Sequence, residues 1–205
     1  MPRSKEQNEA RRDATRTKIH SAAIELFSQK GLSGTTVQEI ADSAGISVGL
    51  LYRHYKTKDD VFVALATMAA NGLEQVGDMF ESDFPPLETM KGFAKEVVAD
   101  ICGNDEFARF MVLLSGQVRS NRHLSFATHL LERNRIFMEQ LSGLIKKGQD
   151  AGVFRHGDPT GMAVLFLSMI QGLCEMKLAW GEQFTAPTAD MLSAFIIKEV
   201  HNVYE

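Results

Sequence analysis

Residues 31–58 read Gly31-Leu32-Ser33-Gly34-Thr35-Thr36-Val37-Gln38-Glu39-Ile40-Ala41-Asp42-Ser43-Ala44-Gly45-Ile46-Ser47-Val48-Gly49-Leu50-Leu51-Tyr52-Arg53-His54-Tyr55-Lys56-Thr57-Lys58, and this stretch decides the fold. Thr36-Val37-Gln38-Glu39 opens a short helix, because in a Thr-x-x-Glu box the hydroxyl and the carboxylate satisfy free amides of the first turn. Gly45 supplies a turn that needs positive φ, and Ser47 is a good cap for a second short helix over residues 48–55. Two helices cross steeply only through a small contact, which Ala41 supplies. Ile40, Ala44, Ile46 and Leu51 are spaced to bury both inner faces against the helix before them. The pattern is a helix-turn-helix, whose second helix is presented to a DNA major groove. Many helical hairpins place Ala and Gly at similar offsets, so the outward residues carry the distinction. These are Ser47, Gly49, Tyr52, Arg53, His54, Tyr55 and Lys56. Hydroxyls, guanidinium groups and helix-start amides are common phosphate ligands. Gly49 costs helix stability, and close approach of backbone to a base edge would explain it.

Helical periodicity continues on both sides. Ile19, Ala22, Ala23, Leu26 and Phe27 mark one face of a helix over residues 14–30, stopped by Gly31. Residues 1–13 are polar and read as a flexible arm. Thr57-Lys58-Asp59-Asp60 opens a helix reaching about residue 80. Asp83-Phe84-Pro85-Pro86 is the clearest break, and helices are expected beyond it at 87–102, 106–118, 122–150, 159–181 and 189–204. No stretch has a strand's period of two. The expected fold class is all-α, with about nine helices: a three-helix head at 1–60 and a larger helical bundle at 61–205.

The chain has 205 residues and a formal net charge of −4. Taken alone, that total argues against a charge-driven polyanion binder. It hides an asymmetry, since residues 1–60 carry net +2 and the remainder net −6. Cys102 and Cys174 are too few for a disulfide scaffold and fit a reducing cytoplasm. The start has no apolar core of a secretory signal. The most apolar run, residues 162–170, is too short to span a bilayer.

Residues 31–41 and 44–58, with Ile19, Ala22, Ala23, Leu26 and Phe27 before them, closely resemble the DNA-binding head of TetR-type (TetR/AcrR) transcriptional regulators. The resemblance implies that Thr36 contacts a phosphate at the start of the second helix. It implies that Ser47, Val48, Gly49 and Leu50 meet base edges. Tyr52 and Tyr55 stand at aromatic positions that pack or hydrogen-bond on the DNA backbone, and Lys58 at a phosphate-binding position. Arg53 and His54 complete the candidate DNA-binding set. Tyr55 stands where Phe is commoner, so its hydroxyl adds a phosphate contact or points to solvent. Val48 and Leu50 are apolar where some relatives carry polar readers. In the arm, Arg3, Lys5, Arg11 and Arg12 either reach the DNA or serve as a solubilising tail.

Groove readers of this size bind as dimers, so a dimer face is expected in the body. Residues 159–180 are apolar on nearly every side and must be covered all round. By the resemblance, the last two helices form a four-helix dimer bundle. The candidate interface is Leu165, Ser168, Met169, Gly172, Met176, Leu192, Phe195, Ile196 and Val200, with Ala163 also permitting close approach. Phe80, Phe93, Phe107, Phe110, Met111, Phe126, Phe137 and Phe166 are candidate walls of an effector chamber. Gln117, His129 and Gln171 are its candidate polar anchors, and Glu175 a further one. The same residues also read as ordinary core. The function expected is a ligand-responsive repressor whose homodimer binds a palindromic double-stranded operator and is released by a small apolar effector. No cofactor, metal or membrane enters this reading. The alternatives are a small-molecule-converting enzyme, for which no catalytic motif is present, and an architectural DNA binder without effector.

Overall fold

The computed structural model describes residues 5–121 and 125–198. Among them are nine α-helices, with one isolated antiparallel bridge, between Phe154 and Ile197. The helices are α1 Lys5–Lys30, α2 Val37–Ser43, α3 Val48–Tyr52, α4 Lys58–Glu81, α5 Pro86–Cys102, α6 Glu106–Ser120, α7 Ser125–Asp150, α8 Pro159–Trp180 and α9 Ala189–Ser193. The fold is all-α, a small helix-turn-helix head followed by a helical bundle.

Local chemistry sets most of the boundaries. Thr36 caps α2 through a reciprocal box, its Oγ1 accepting from Glu39 N at 3.2 Å while Thr36 N donates to Glu39 Oε2 at 2.9 Å. Gly45 turns the chain at φ +64°, a region that side chains resist. Ser47 Oγ accepts from Leu50 N at 3.2 Å and starts α3. Thr57 and Asp60 form a second capping box at the start of α4.

Three expected boundaries are corrected: α3, expected over 48–55, ends at Tyr52, and two others differ by more. The chain from Lys5 to Asp13, expected as a flexible arm, is the first part of α1. Residues 6–14 are exposed on every side, so no apolar period marked them. Their Glu, Gln, Ala and Arg side chains nevertheless favour helix, and Thr15 and Thr17 hydroxyls donate to the Arg11 and Asp13 carbonyls at 2.8 and 3.1 Å. The last expected helix, 189–204, stops at Ser193. Residues 196–198 instead pair with 153–155, Arg155 N donating to Ile196 O at 2.8 Å and Lys198 N to Val153 O at 3.0 Å. The β-branched pair Ile196-Ile197 suits that extended pairing. Residues 199–204 lie outside the described residues.

Two hydrophobic clusters fill the molecule. The first joins Ile19, Ala23 and Phe27 of α1, Ile40 and Ala41 of α2, Leu51 of α3 and Val61, Phe62 and Leu65 of α4 to Leu114 of α6 and Leu130 of α7. The second joins Phe80 of α4, Phe93 of α5, Phe137 and Leu141 of α7, and Phe166 and Ile170 of α8. Burying each such side chain contributes roughly 1.5–3 kcal/mol. The α4 helix supplies both clusters, so the sequence position 60 lies in the first turn of a helix continuing into the bundle.

A methyl group at Gly148 of α7 would collide with the buried Phe154 ring, whereas one at Gly143 of the same helix meets nothing. Gly148→Ala should therefore destabilise by about 1–3 kcal/mol through overpacking. Gly143→Ala should stabilise by about 0.5–1 kcal/mol through helix propensity. Urea unfolding of the two variants checks the opposite signs.

Candidate functional site

The outward side of the helix-turn-helix is assembled from the residues expected there. Thr36, Ser47, Gly49, Tyr52, Arg53 and Lys56 are exposed, Tyr52 at 53% despite its size. Val48 and Leu50 are half-buried, and Val48 packs on the head core. A Cβ built at Gly49 meets no atom within 4 Å. Nothing in the free fold requires glycine at this position, and the space above it is open to a partner's surface.

Three further members of the candidate DNA-binding set are less open. The Tyr55 hydroxyl is hydrogen-bonded to His20 Nε2 at 2.8 Å, so it faces α1 and not solvent. Lys58 Nζ donates to the carbonyls of Ser33 and Thr35 at 3.1 and 2.8 Å, tying the α1–α2 loop to the start of α4. His54 is half-buried, with a buried Nδ1 that has no hydrogen-bond partner. Sequence spacing places such residues on an outward face but carries no sign of a partner 35 positions earlier. Thr35 was not anticipated either; it is buried and donates to Gly31 O at 2.9 Å.

Charge around the motif follows the same bracing. Lys30, with the backbone and hydroxyl of Thr36, pulls the Glu39 carboxyl down to about 2. Burial lowers the proton affinity of His20, Arg16 adds to the effect, and Glu106 opposes it. Burial likewise lowers His54, with Arg12 and Arg16 contributing.

In the body, the expected chamber residues separate into groups. Phe80, Phe93, Phe137 and Phe166 are buried and touch one another, with ring centroids 5.1–6.2 Å apart. They pack as core. Phe110 and Phe126 belong to the head cluster, Phe126 lying 5.1 Å from Phe62. His129 is exposed and is no buried anchor, because it falls on the solvent side of α7. Gln117 accepts from Asn121 at 3.0 Å. What remains is a half-buried seam between α6 and α8. Phe107 and Met111 line it, and Gln171 Nε2 donates to Ser115 Oγ across it at 3.3 Å. Ser115 was not anticipated; it follows Met111 by one helical turn.

The expected dimer residues also divide. Leu165 (50% exposed), Met176 (38%) and Ser168 lie on one outward stripe of α8, with Val164 and Trp180 beside them. Met169, Gly172 and Phe195 are half-buried. Leu192 and Ile196 are enclosed in the chain's own second cluster, where the α9 segment packs on α5, and Ala163 of α8 is enclosed in the same cluster. They are unavailable to a partner, and Val200 lies outside the described residues. Cys174 is buried, its thiol pushed up to about 11, first by burial; Cys102 is exposed. Pro159–Gln183 is, by length and hydropathy, long and apolar enough to cross a membrane, contrary to the expectation from residues 162–170. Its inner face is nevertheless built into the protein core through Phe166, Ile170 and Cys174.

Beyond the hydrophobic cluster they share, head and body meet in polar contacts at the first turn of α6. Ser21 Oγ donates to Glu106 Oε1 at 2.9 Å, and Arg109 Nη1 to Ser28 Oγ at 3.4 Å. Behind this contact, the buried Lys177 of α8 donates to the carbonyls of Ile101 and Asn104 and lies 3.5 Å from Asp105. An open cleft of about 500 Å³ runs along the junction, lined by Lys18, Ser21, Glu25, Asn104 and Arg109 among others.

The model of the bacterial regulatory proteins of the tetR family matches residues 19–65. The transcriptional regulator AcrR of Shigella flexneri is 34% identical over 79 residues, 38% of this chain but only 37% of that one. The transcriptional repressor KstR2 of Rhodococcus jostii (strain RHA1) is 28% identical over 164 residues, 74% of each chain. SmeT of Stenotrophomonas maltophilia, solved in a triclosan complex, superposes with a TM-score of 0.67 at 20% identity, over 91% of this chain and 93% of its own.

Two measurements test this geometry in the free protein. Gly49→Ala should raise stability by about 0.5–1 kcal/mol, read by thermal unfolding, because the fold has no need of glycine there. The native His20 binds a proton less readily than the unfolded chain, with its ordinary pKa of about 6.5. Its contribution to stability is therefore complete above that value and is lost as pH falls from there towards the lower native pKa. Unfolding scans from about pH 7.5 to about pH 5 should show a loss of stability that is smaller in His20→Gln.

Proposed function

We propose that the chain is a TetR-type transcriptional regulator and not an enzyme: a repressor whose homodimer binds a palindromic operator and is released by a small apolar ligand. Residues 1–60 form the DNA-binding unit in this reading, and residues 61–205 the effector-binding and dimerisation unit. The site of action is the cytoplasm, where the operator DNA lies.

The carrying observation is the open reading face: Ser47, Gly49, Tyr52, Arg53 and Lys56 exposed together, with free space over the one residue the fold does not need. Insertion of α3 into a major groove brings the Ser47 hydroxyl, the Gly49 backbone and the outer parts of Val48 and Leu50 to base edges. Thr36 and Tyr52 then lie beside the backbone, where hydroxyls fix register. Lys58 and Tyr55 also act indirectly, by holding the motif together.

One recognition helix offers too little affinity, and the outward stripe of α8 supports a second copy as its cover. Leu165, Ser168 and Met176 on that stripe repeat at helical spacing, which suits antiparallel packing against the same helix of a partner. The α6–α8 seam supports the effector reading, with Phe107 and Met111 giving an apolar wall and Ser115 and Gln171 a polar anchor. Met adapts its shape to varied apolar ligands. A ligand there touches both the dimer helix and the helix whose first turn meets the head. It acts only through its different affinity for the DNA-competent and incompetent states.

Selection of operator from a random duplex pool, followed by binding titrations across salt, tests the reading. Tyr52→Ala and Gly49→Ala should weaken operator binding at least tenfold without loss of fold. Unchanged operator affinity in both variants would remove the assignment of α3. Leu165→Glu with Met176→Glu should give a monomer by light scattering that no longer distinguishes the palindrome from a half-site. A persistent dimer would move the interface off α8.

A further inference from the structure

The first part of α1 extends beyond the head core. Residues 6–14 are exposed, and the core begins only at Ile19. From residue 5 to residue 18 the helix runs about 21 Å at 1.5 Å per residue. Its two long sides differ. Lys18, Ser21 and Glu25 line the cleft against α6, so that side looks at the body. Arg12, Arg16 and His20 succeed one another four residues apart and share another side. His20 on that side is hydrogen-bonded to Tyr55, just beyond the end of α3, at 2.8 Å. Arg16 and Arg12 therefore stand one and two turns farther out, on a face leaving the core at the end of the recognition helix.

Charge supports the same placement. Arg12 and Arg16 both lie within electrostatic reach of His54, the residue next to Tyr55. Arg53 and Lys56 are exposed in the same stretch of chain. Asp13 is the acid beside Arg16, at 3.6 Å, and that pair is half-exposed or more on both sides. Such a pair contributes at most about 1 kcal/mol, so a phosphate can displace it.

We propose that the N-terminal half of α1 is a second DNA-contacting element, in which Arg12 and Arg16 bind backbone phosphates flanking the groove that α3 enters. The contact is to phosphodiesters and carries no base sequence. It lengthens the footprint of each half-site outward, and the rigid helix makes the contact at little entropic cost. The proposal rests on the DNA-binding reading given above.

The test uses the full chain and two duplexes: the shortest that holds the selected palindrome, and the same duplex extended by half a helical turn of arbitrary sequence at each end. The wild-type protein should bind the longer duplex more tightly and with a steeper salt dependence. Arg12→Ala/Arg16→Ala should lose that gain while still binding the short duplex. Alanine favours helix, so circular dichroism should be unchanged. With two such arginines in each of two protomers, the log–log salt slope on the long duplex should fall by up to about 3.6, at roughly 0.9 per phosphate. Lys18→Ala, which removes a cation from the cleft side, should leave the gain intact. Equal losses on both duplexes, no loss on either, or a matching loss per charge in Lys18→Ala would overturn the proposal. Wild-type binding no tighter to the selected palindrome than to a scrambled duplex would overturn the DNA-binding reading and the proposal with it.

Discussion

The long helices α4 and α7 pack along one another and run through both hydrophobic clusters, and the rest of the molecule is arranged around that constraint. Over its 24 residues α4 runs from a capping box at Thr57 and Asp60 to Glu81, about 36 Å at the helical rise. Its first half buries Val61, Phe62 and Leu65 against α1, α2 and α3, and its last turns bury Phe80 among the rings of the bundle. A packed core resists gradual deformation. The two ends of α4 are therefore joined by one continuous helix packed at both ends. Lys58 adds to this linkage by tying the α1–α2 loop to the first turn of the same helix.

The second connection is polar and lies at the α5–α6 junction. Lys177 is only 8% exposed, and an ammonium so placed is tolerable only with partners. It finds them in the carbonyls of Ile101 and Asn104 and in Asp105. Asp105 also lies 3.5 Å from Arg109, whose guanidinium reaches Ser28 of α1. A path of named contacts thus leads from α8, with its outward apolar stripe, to the first helix of the head. Polar contacts of 2.9–3.5 Å can be broken and remade at lower cost than a packed core. The polar junction is therefore softer than the packed links between head and body, which are α4 and the apolar contact of α1 with α6 and α7.

How far the sequence could be read depended on whether the deciding interaction was local. Caps and turns are local, so Thr36, Gly45, Ser47 and Thr57 were legible and the helix-turn-helix followed from them. The first part of α1 was missed because residues 6–14 are exposed, and a helix without a buried face leaves no apolar period. The end of α9 was missed for the opposite reason: Ile196 and Ile197 fit a helical stripe until residues 153–155, far away in the chain, take their backbone groups. At the candidate interface, exposure was legible for Tyr52, Arg53 and Lys56. The inward bonds of Tyr55 and Lys58 were not, since each depends on partners more than twenty residues away. Among the phenylalanines, composition announced an apolar body but not that four rings pack on one another and leave the seam to Phe107 and Met111.

A net charge of −4 is compatible with this reading because DNA is met by a face and not by the whole molecule. The residues after 60 carry net −6 and repel phosphates. That repulsion acts on any duplex in any register, so it lowers nonspecific affinity without changing the preference for one site over another. Attraction is confined to the exposed cations of α1 and of the chain around α3. These cations are favourable only when the recognition helix is seated and the body points away. Within a Debye length of about 8 Å at physiological salt, near cations outweigh distant acids in that one orientation. An acidic body thus sharpens discrimination between a seated and an unseated complex, which a uniformly basic chain of the same fold would blur.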